Sequence, residues 1–177
     1  MMSNTLLESV VKKNRARLIP FMLALYVLAF LDRSNIGFAK ETYQLDTGLS
    51  NEAYALGAGI FFVVYAFLGV PANLLMRKFG ARRWIGCTTL LWGVLSAAMA
   101  WADTEAKFLL VRTLLGAAEA GFFPGMIYLT SQWFPQQNRA SIMGLFYMGA
   151  PLALTLGSPL SGALLEMHGF MGHPGWF

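Results

Sequence analysis

The 177 residues are 56% hydrophobic and only 12% charged, with a mean hydropathy of +0.54. A soluble domain of this length carries about twice that charge, and here the apolar residues come in long blocks, so the composition excludes a water-soluble enzyme or binding module and indicates a polytopic membrane protein. The net charge of +4 and the pI near 9.4 do not point to nucleic acid, because the basic residues cluster beside the ends of the apolar blocks, where they set topology.

The first seventeen residues are polar and turn basic at Lys12, Lys13, Arg15 and Arg17. Residues 1–17 read as a cytoplasmic arm. The apolar stretch that follows is too long for the core of a cleavable signal, and residues 18–177 read as a transmembrane helical domain. About 20 helical residues cross a bilayer core, and five segments meet that length: 18–38, 53–75, 84–102, 108–134 and 141–165. The connection 39–52 is polar, with Asp46, Thr47, Gly48, Ser50 and Asn51 as turn and cap material. Later connections are short, which makes neighbouring helices antiparallel. Cys87 is the single cysteine and excludes an internal disulfide.

Orientation follows from charge. The arm and the loops on its side hold nine basic residues, among them Arg77, Lys78, Arg82, Arg83 and Arg139, against Lys40 and Lys107 opposite. This places the N-terminus in the cytoplasm. His168–Pro174 reads as an outer loop, and Gly175, Trp176 and Phe177 as the opening of a sixth helix, so the chain is expected to be the N-terminal part of a longer protein.

Small residues recur every four positions at Ala117, Gly121 and Gly125, and again at Ala153, Gly157 and Ser161. Such stripes let helices approach closely in lipid. Pro124 is expected to free the Ala120 carbonyl and kink the fourth span, and Pro151 and Pro159 to do likewise in the fifth.

Four charges interrupt these blocks: Asp32 and Arg33 in the first, Arg112 and Glu119 in the fourth. A charge at membrane depth is costly and usually pairs or faces a pathway. At 1.5 Å per residue, Asp32 lies roughly 8 Å from the outer surface of a core about 30 Å thick, and Arg112 at roughly 7 Å, so the two share a level. Glu119 falls near the midplane, seven residues from Arg112 and hence on its face, with Gly116 beside them. A midplane carboxyl group that can take a proton suits a proton relay, and an arginine facing the same cavity suits an anion, whose carboxylate its planar fork matches. A buried ion-pair network that only fixes helix register is the structural alternative, and Arg33 alone could snorkel to the interface. Tyr65 lies mid-way along the second span, where packing or an interhelical hydrogen bond is its ordinary role, and Asn73 reads as a helix contact. His168 and His173 lack further ligands, so no metal site is expected, and no nucleophile or phosphate-binding motif marks the chain as an enzyme.

Leu31-Asp32-Arg33-Ser34-Asn35-Ile36-Gly37 resembles the first-helix signature of the anion:cation symporters, a branch of the major facilitator superfamily. Pro71-Ala72-Asn73 with Phe79-Gly80-Ala81-Arg82-Arg83-Trp84, the run from Arg112 through Glu119 to Gly125, and Gln132-Trp133-Phe134-Pro135 with Arg139-Ala140 are similar to the same branch, and in particular to its sugar-acid members. The resemblance implies an all-α fold, the N-terminal half of a transporter whose helices one to three and four to six are inverted repeats, in a bacterial inner membrane. It implies proton-coupled symport of an organic anion, a sugar acid with L-rhamnonate as the leading substrate, by alternating access. It needs no cofactor beyond the proton gradient; its partners are the anion, protons, the lipid bilayer and the C-terminal half of the transporter. By the same resemblance Asp32 and Glu119 are the proton-coupling pair, Arg33 holds the substrate carboxylate, Tyr65 contacts a hydroxyl, and Arg112 partners Asp32. Arg82 and Arg83 belong to the conformational loop, where Arg77 stands in place of the superfamily's usual acid. The alternative is a membrane-embedded interaction module without transport of its own.

Overall fold

The computed structural model describes residues 4–167, and among these the regular structure is helical throughout. In chain order the helices are α1 (Asn4–Phe38), α2 (Lys40–Thr47), α3 (Asn51–Phe79), α4 (Ala81–Ala98), a single 3-10 turn Met99–Trp101, α5 (Glu105–Glu119), α6 (Phe122–Trp133), α7 (Gln136–Tyr147) and α8 (Gly149–Glu166). Five stretches are long and apolar enough to cross a membrane: Leu6–Phe38, Asn51–Phe79, Ala81–Trp101, Glu105–Trp133 and Gln136–Glu166. The five expected spans are therefore present. The outer loop and sixth-helix opening read from His168 onward, with His173 and Trp176, lie outside the described residues.

Three local features depart from expectation. The connection 39–52 is not a simple turn, because α2 occupies most of it and ends at Gly48, whose φ of 71° suits glycine. Helix α1 begins at Asn4, so the polar segment before Arg17 continues the first span as helix. Pro159 lies inside α8 without ending it. The other two prolines behave as expected. The fourth span breaks at Ala120–Gly121, one turn before Pro124, and the fifth breaks at Met148, three residues before Pro151. A proline has no N–H for the carbonyl one turn back, and the helix opens there.

The chain divides into two compact units. Among the described residues, one comprises Ala39–Gly125 with residues 164–167; the other comprises residues 4–38 with Met126–Ala163.

In the first unit α5 packs along α3 and α4. Glycines set the approach: a Cβ at Gly116 would lie 2.5 Å from the Phe61 carbonyl oxygen, and one at Gly121 would lie 2.9 Å from both the Ala72 methyl and Trp84 Nε1. Residue Gly57 likewise faces the ring of Phe108. Helix α3 starts on Ser50, whose hydroxyl accepts from Ala53 N–H (3.0 Å), and α5 on Thr104, which accepts from Lys107 N–H. Only Gly80 separates α3 from α4, at φ 85°. Helix α2 is fastened by Tyr43, whose hydroxyl donates to the Ala102 carbonyl and whose ring lies 5.8 Å from that of Phe108. Burial, and then the charge of Asp103, push the Tyr43 hydroxyl up to about 12.

In the second unit, Gly149, Ala153, Gly157 and Ser161 are all buried along one stripe of α8. Gly149 meets Tyr26 and Leu23, Gly157 meets Leu31, and Ser161 donates to Asn35 Oδ1 at 3.0 Å, so the stripe lies on α1. Tyr26 also stacks on Phe146 of α7 (4.2 Å between centroids). Arg139 does more than set topology: its Nη2 donates to the Ser131 carbonyl (2.8 Å) and its Nε to that of Phe134 (3.0 Å). Asn14 donates to the Trp133 carbonyl, so the C-terminal carbonyls of α6, which lack partners within their own helix, are capped from α7 and α1.

Candidate functional site

The intramembrane charges divide between the units. Arg112 and Glu119 belong to the first, where they sit on one face of α5 about 10.5 Å apart along its axis. Both are enclosed, at 3% and 1% exposure, in the most buried of the five spans. The Arg112 Nε donates to the Gly57 carbonyl of α3 (3.3 Å), and its guanidinium lies 4.6 Å from the centroid of Phe61. Phe61 in turn stacks on Tyr65 (6.0 Å, 21° between planes). The sequence-derived residues Arg112 and Tyr65 thus meet through one ring, held by a backbone carbonyl acceptor on one side and a cation–π contact on the other.

Glu119 is the last residue of α5, directly before the break that Pro124 imposes. The chain turns there with Ala120 and Gly121 both buried, and a Cβ at Gly69 would touch the Ala120 carbonyl at 3.5 Å. Broken helices of this kind put backbone polar groups beside a side chain at membrane depth.

Asp32 and Arg33 belong to the second unit, both half-buried near the end of α1. Arg33 lies with its guanidinium 5.9 Å from the ring of Phe30, one turn earlier. Ser34 turns its hydroxyl back to the Leu31 carbonyl (3.2 Å). Asn35 accepts from Ser161 on the face that meets α8. Arg82 and Arg83 are exposed in the first turn of α4, after Arg77 and Lys78 in the last turn of α3. No group of three or more His, Cys, Asp or Glu side chains capable of holding a metal occurs among the described residues.

Residues 22–176 match the Major Facilitator Superfamily. The chain belongs to that superfamily. It is 92% identical over 176 residues to the inner membrane transport protein RhmT of Escherichia coli K12, covering 99% of this chain and 41% of the relative. A protein of Agrobacterium vitis named "Putative tartrate transporter" is 50% identical over 98% of the chain and 39% of its own length. The chain thus spans about two fifths of the length of the curated relatives it matches. Among solved structures, a bacterial homologue of the human lysosomal transporter Spinster, in an inward-facing and occupied conformation, superimposes with a TM-score of 0.81 at 22% identity, over 88% of this chain and 34% of that one. This likeness shows the superfamily fold.

Sequence reasoning missed Phe61. It is fully buried (0% exposed) and supports both Arg112 and Tyr65. A signal was present in the four-residue rhythm Ala53, Gly57, Phe61, Tyr65, which puts the ring on the same stripe of α3 as the glycine that admits Phe108.

Proposed function

We propose that this superfamily chain supplies the proton- and anion-handling groups of a secondary transporter, a proton-coupled symporter of a sugar acid. The observation that carries the reading is the burial of Arg112 and Glu119 on one face of a membrane-spanning helix. Ionisable side chains at that depth are retained for a pathway or a relay far more often than for packing. Glu119, at the break between α5 and α6, takes and releases the proton, with Asp32 as the second carboxyl group. Arg112 balances their negative charge from a position fixed by the Gly57 carbonyl and Phe61. Arg33 clasps the substrate carboxylate, and Tyr65 presents a hydroxyl to the sugar-acid chain. Arg82 and Arg83 act in the loop that changes between the inward- and outward-facing states.

The substrate class rests on the arginines and on the relatives: a name that gives tartrate, a hydroxy-acid anion, fits a carboxylate clasp with hydroxyl donors around it. L-rhamnonate is the specific substrate we assign. The N-terminus lies in the cytoplasm of a bacterial inner membrane, by the excess of basic residues on that side.

The test is uptake of L-rhamnonate into vesicles by the full-length transporter carrying Glu119→Gln. Exchange of internal for external substrate should survive while accumulation driven by a proton gradient is lost. Accumulation at the unmodified rate would refute the role of Glu119. Arg33→Lys should raise KM for the anion while leaving proton-driven accumulation intact, since lysine keeps the charge but loses the bidentate fork.

A further inference from the structure

The first unit carries a concave feature on the α5 face opposite Arg112 and Glu119, the face of Leu114, Ala117 and Ala118. A groove of about 340 Å³ runs along α3, α4 and α5. Its walls include Leu75, Leu91, Leu114 and the ring of Trp84, and its depth comes from three small side chains, Ala72, Ala117 and Ala118, where larger residues would fill it. The one hydroxyl in the lining, Thr88, donates to the Trp84 carbonyl at 2.9 Å and is satisfied within its own helix. The indole Nε1 of Trp84 is buried beside Gly121, so the surface that the groove offers an occupant is almost wholly apolar.

Size narrows the choice. A cavity of about 150 Å³ takes one benzene, so this groove holds roughly a dozen carbons, while a helix about 10 Å across does not enter. From Trp84 to Leu95 the wall extends about 16 Å along α4, a length that an alkyl chain of about a dozen carbons can follow.

Charge narrows it further. The groove ends, at Leu75 and Trp84, against the one-residue turn at Gly80, where Phe79 stacks flat on Trp84 (6.3 Å, 6°). Around that turn stand Arg77 and Lys78 in the last turn of α3 and the exposed Arg82 and Arg83 in the first turn of α4. Helix α4 has no side-chain cap and no acidic residue in its first turn, so its N-terminal N–H groups add to the positive field. An alkyl slot that opens onto a cationic turn is complementary to a molecule with an apolar tail and an anionic head.

We propose that this groove is a binding site for an anionic phospholipid, with one acyl chain lying against Trp84 over the alanine floor and the phosphate headgroup held by Arg82 and Arg83. The site requires only that the chain span a membrane and is independent of the transport reading: lipid preference is measured without substrate or proton gradient.

The test uses the full chain in vesicles of phosphatidylcholine, to which acyl-brominated phosphatidylglycerol or acyl-brominated phosphatidylcholine is added. Bromine quenches nearby tryptophan, and the difference between the parent and Trp84→Phe isolates Trp84 from the other four tryptophans. Phosphatidylglycerol should quench Trp84 at about one thirtieth of the mole fraction that phosphatidylcholine requires, the preference expected of a basic pair at a membrane surface. Arg82→Gln with Arg83→Gln, both exposed and remote from the core, should bring the two lipids to about parity. Ala117→Phe should fill the groove and abolish the Trp84-specific quenching by either lipid. Equal quenching by both lipids in the parent would overturn the headgroup assignment. Absence of Trp84 quenching in the parent would overturn the site, showing instead that protein, from a second copy or a further helix, covers the groove.

Discussion

Gly116→Ala perturbs the contact on which the placement of Arg112 depends. The added methyl would lie 2.5 Å from the Phe61 carbonyl oxygen and 3.2 Å from its carbonyl carbon and Cα. These are backbone atoms, so no rotamer change relieves the clash. Restoring an ordinary contact near 3.2 Å moves α5 from α3 by about 0.7 Å. One turn away, Arg112 Nε reaches the Gly57 carbonyl at 3.3 Å, and the same displacement carries that pair to about 4 Å, beyond hydrogen-bonding distance. The cost combines overpacking, about 1–3 kcal/mol, with loss of a bond to a charged donor, about 1.5–3 kcal/mol, or about 2.5–6 kcal/mol in all. The assay is reversible unfolding of the chain in mixed micelles. Gly59→Ala and Gly93→Ala are the controls: a Cβ at either position meets nothing within 4 Å, and alanine should leave the helix unchanged or better by up to about 1 kcal/mol. If Gly116→Ala is as stable as Gly59→Ala, the close approach does not hold α5 in place and the reasoning fails.

Tyr43→Phe should cost about 1–3 kcal/mol, because it strands the buried Ala102 carbonyl, and hydrogen exchange in α2 should rise while that of the spans stays unchanged. The parent has a matching pH signature. The folded state holds the Tyr43 hydroxyl up at about 12 against an ordinary value of 10.0, so its stabilisation is complete below the ordinary value and is lost as pH rises towards the folded one; melting at successive pH values should show a decline in that window that is absent in Tyr43→Phe. Arg139→Ala removes the caps on the Ser131 and Phe134 carbonyls and should lower stability by about 1–3 kcal/mol, whereas Arg139→Lys should recover only part; full recovery by lysine would show that charge rather than the two hydrogen bonds matters. Pro124→Ala restores an N–H for the Ala120 carbonyl, and an infrared or NMR measurement of α5–α6 should show a continuous helix; a break that persists would transfer its cause to Gly121.

Much of the architecture was legible because a bilayer imposes length and charge rules that act along the chain. The five spans, the pairing of Arg112 and Glu119 on one face with Gly116 between them, and the break before Pro124 all follow from helical rise, periodicity and the missing proline N–H. The membership in the superfamily was visible in the same residues. Less legible was which apolar residue lies inside. Phe61 is fully buried while its neighbour Phe62 and nearby Phe67 are exposed, yet all three are equally apolar. In water, hydrophobic periodicity separates the two faces of a helix; in lipid both faces are apolar, and that contrast disappears. The same reason hid the difference between Gly116, pressed against backbone, and Gly59, facing open space. Helix α2 was hidden for another reason, since its polar composition reads as loop and only the burial of Tyr43 against Ala102 shows what holds it.

The sequence by itself determined that this chain carries five stretches long and apolar enough to cross a membrane and that charges interrupt two of them, because those features follow from the cost of placing polar groups in hydrocarbon. The tertiary structure decided what each charge rests against. Arg112 is held by a carbonyl and a ring from α3, and Arg139 by the carbonyls at the C-terminal end of α6, contacts that depend on how closely helices approach. That distance is set by which of many small residues happen to face one another, and it is a property of packing in three dimensions.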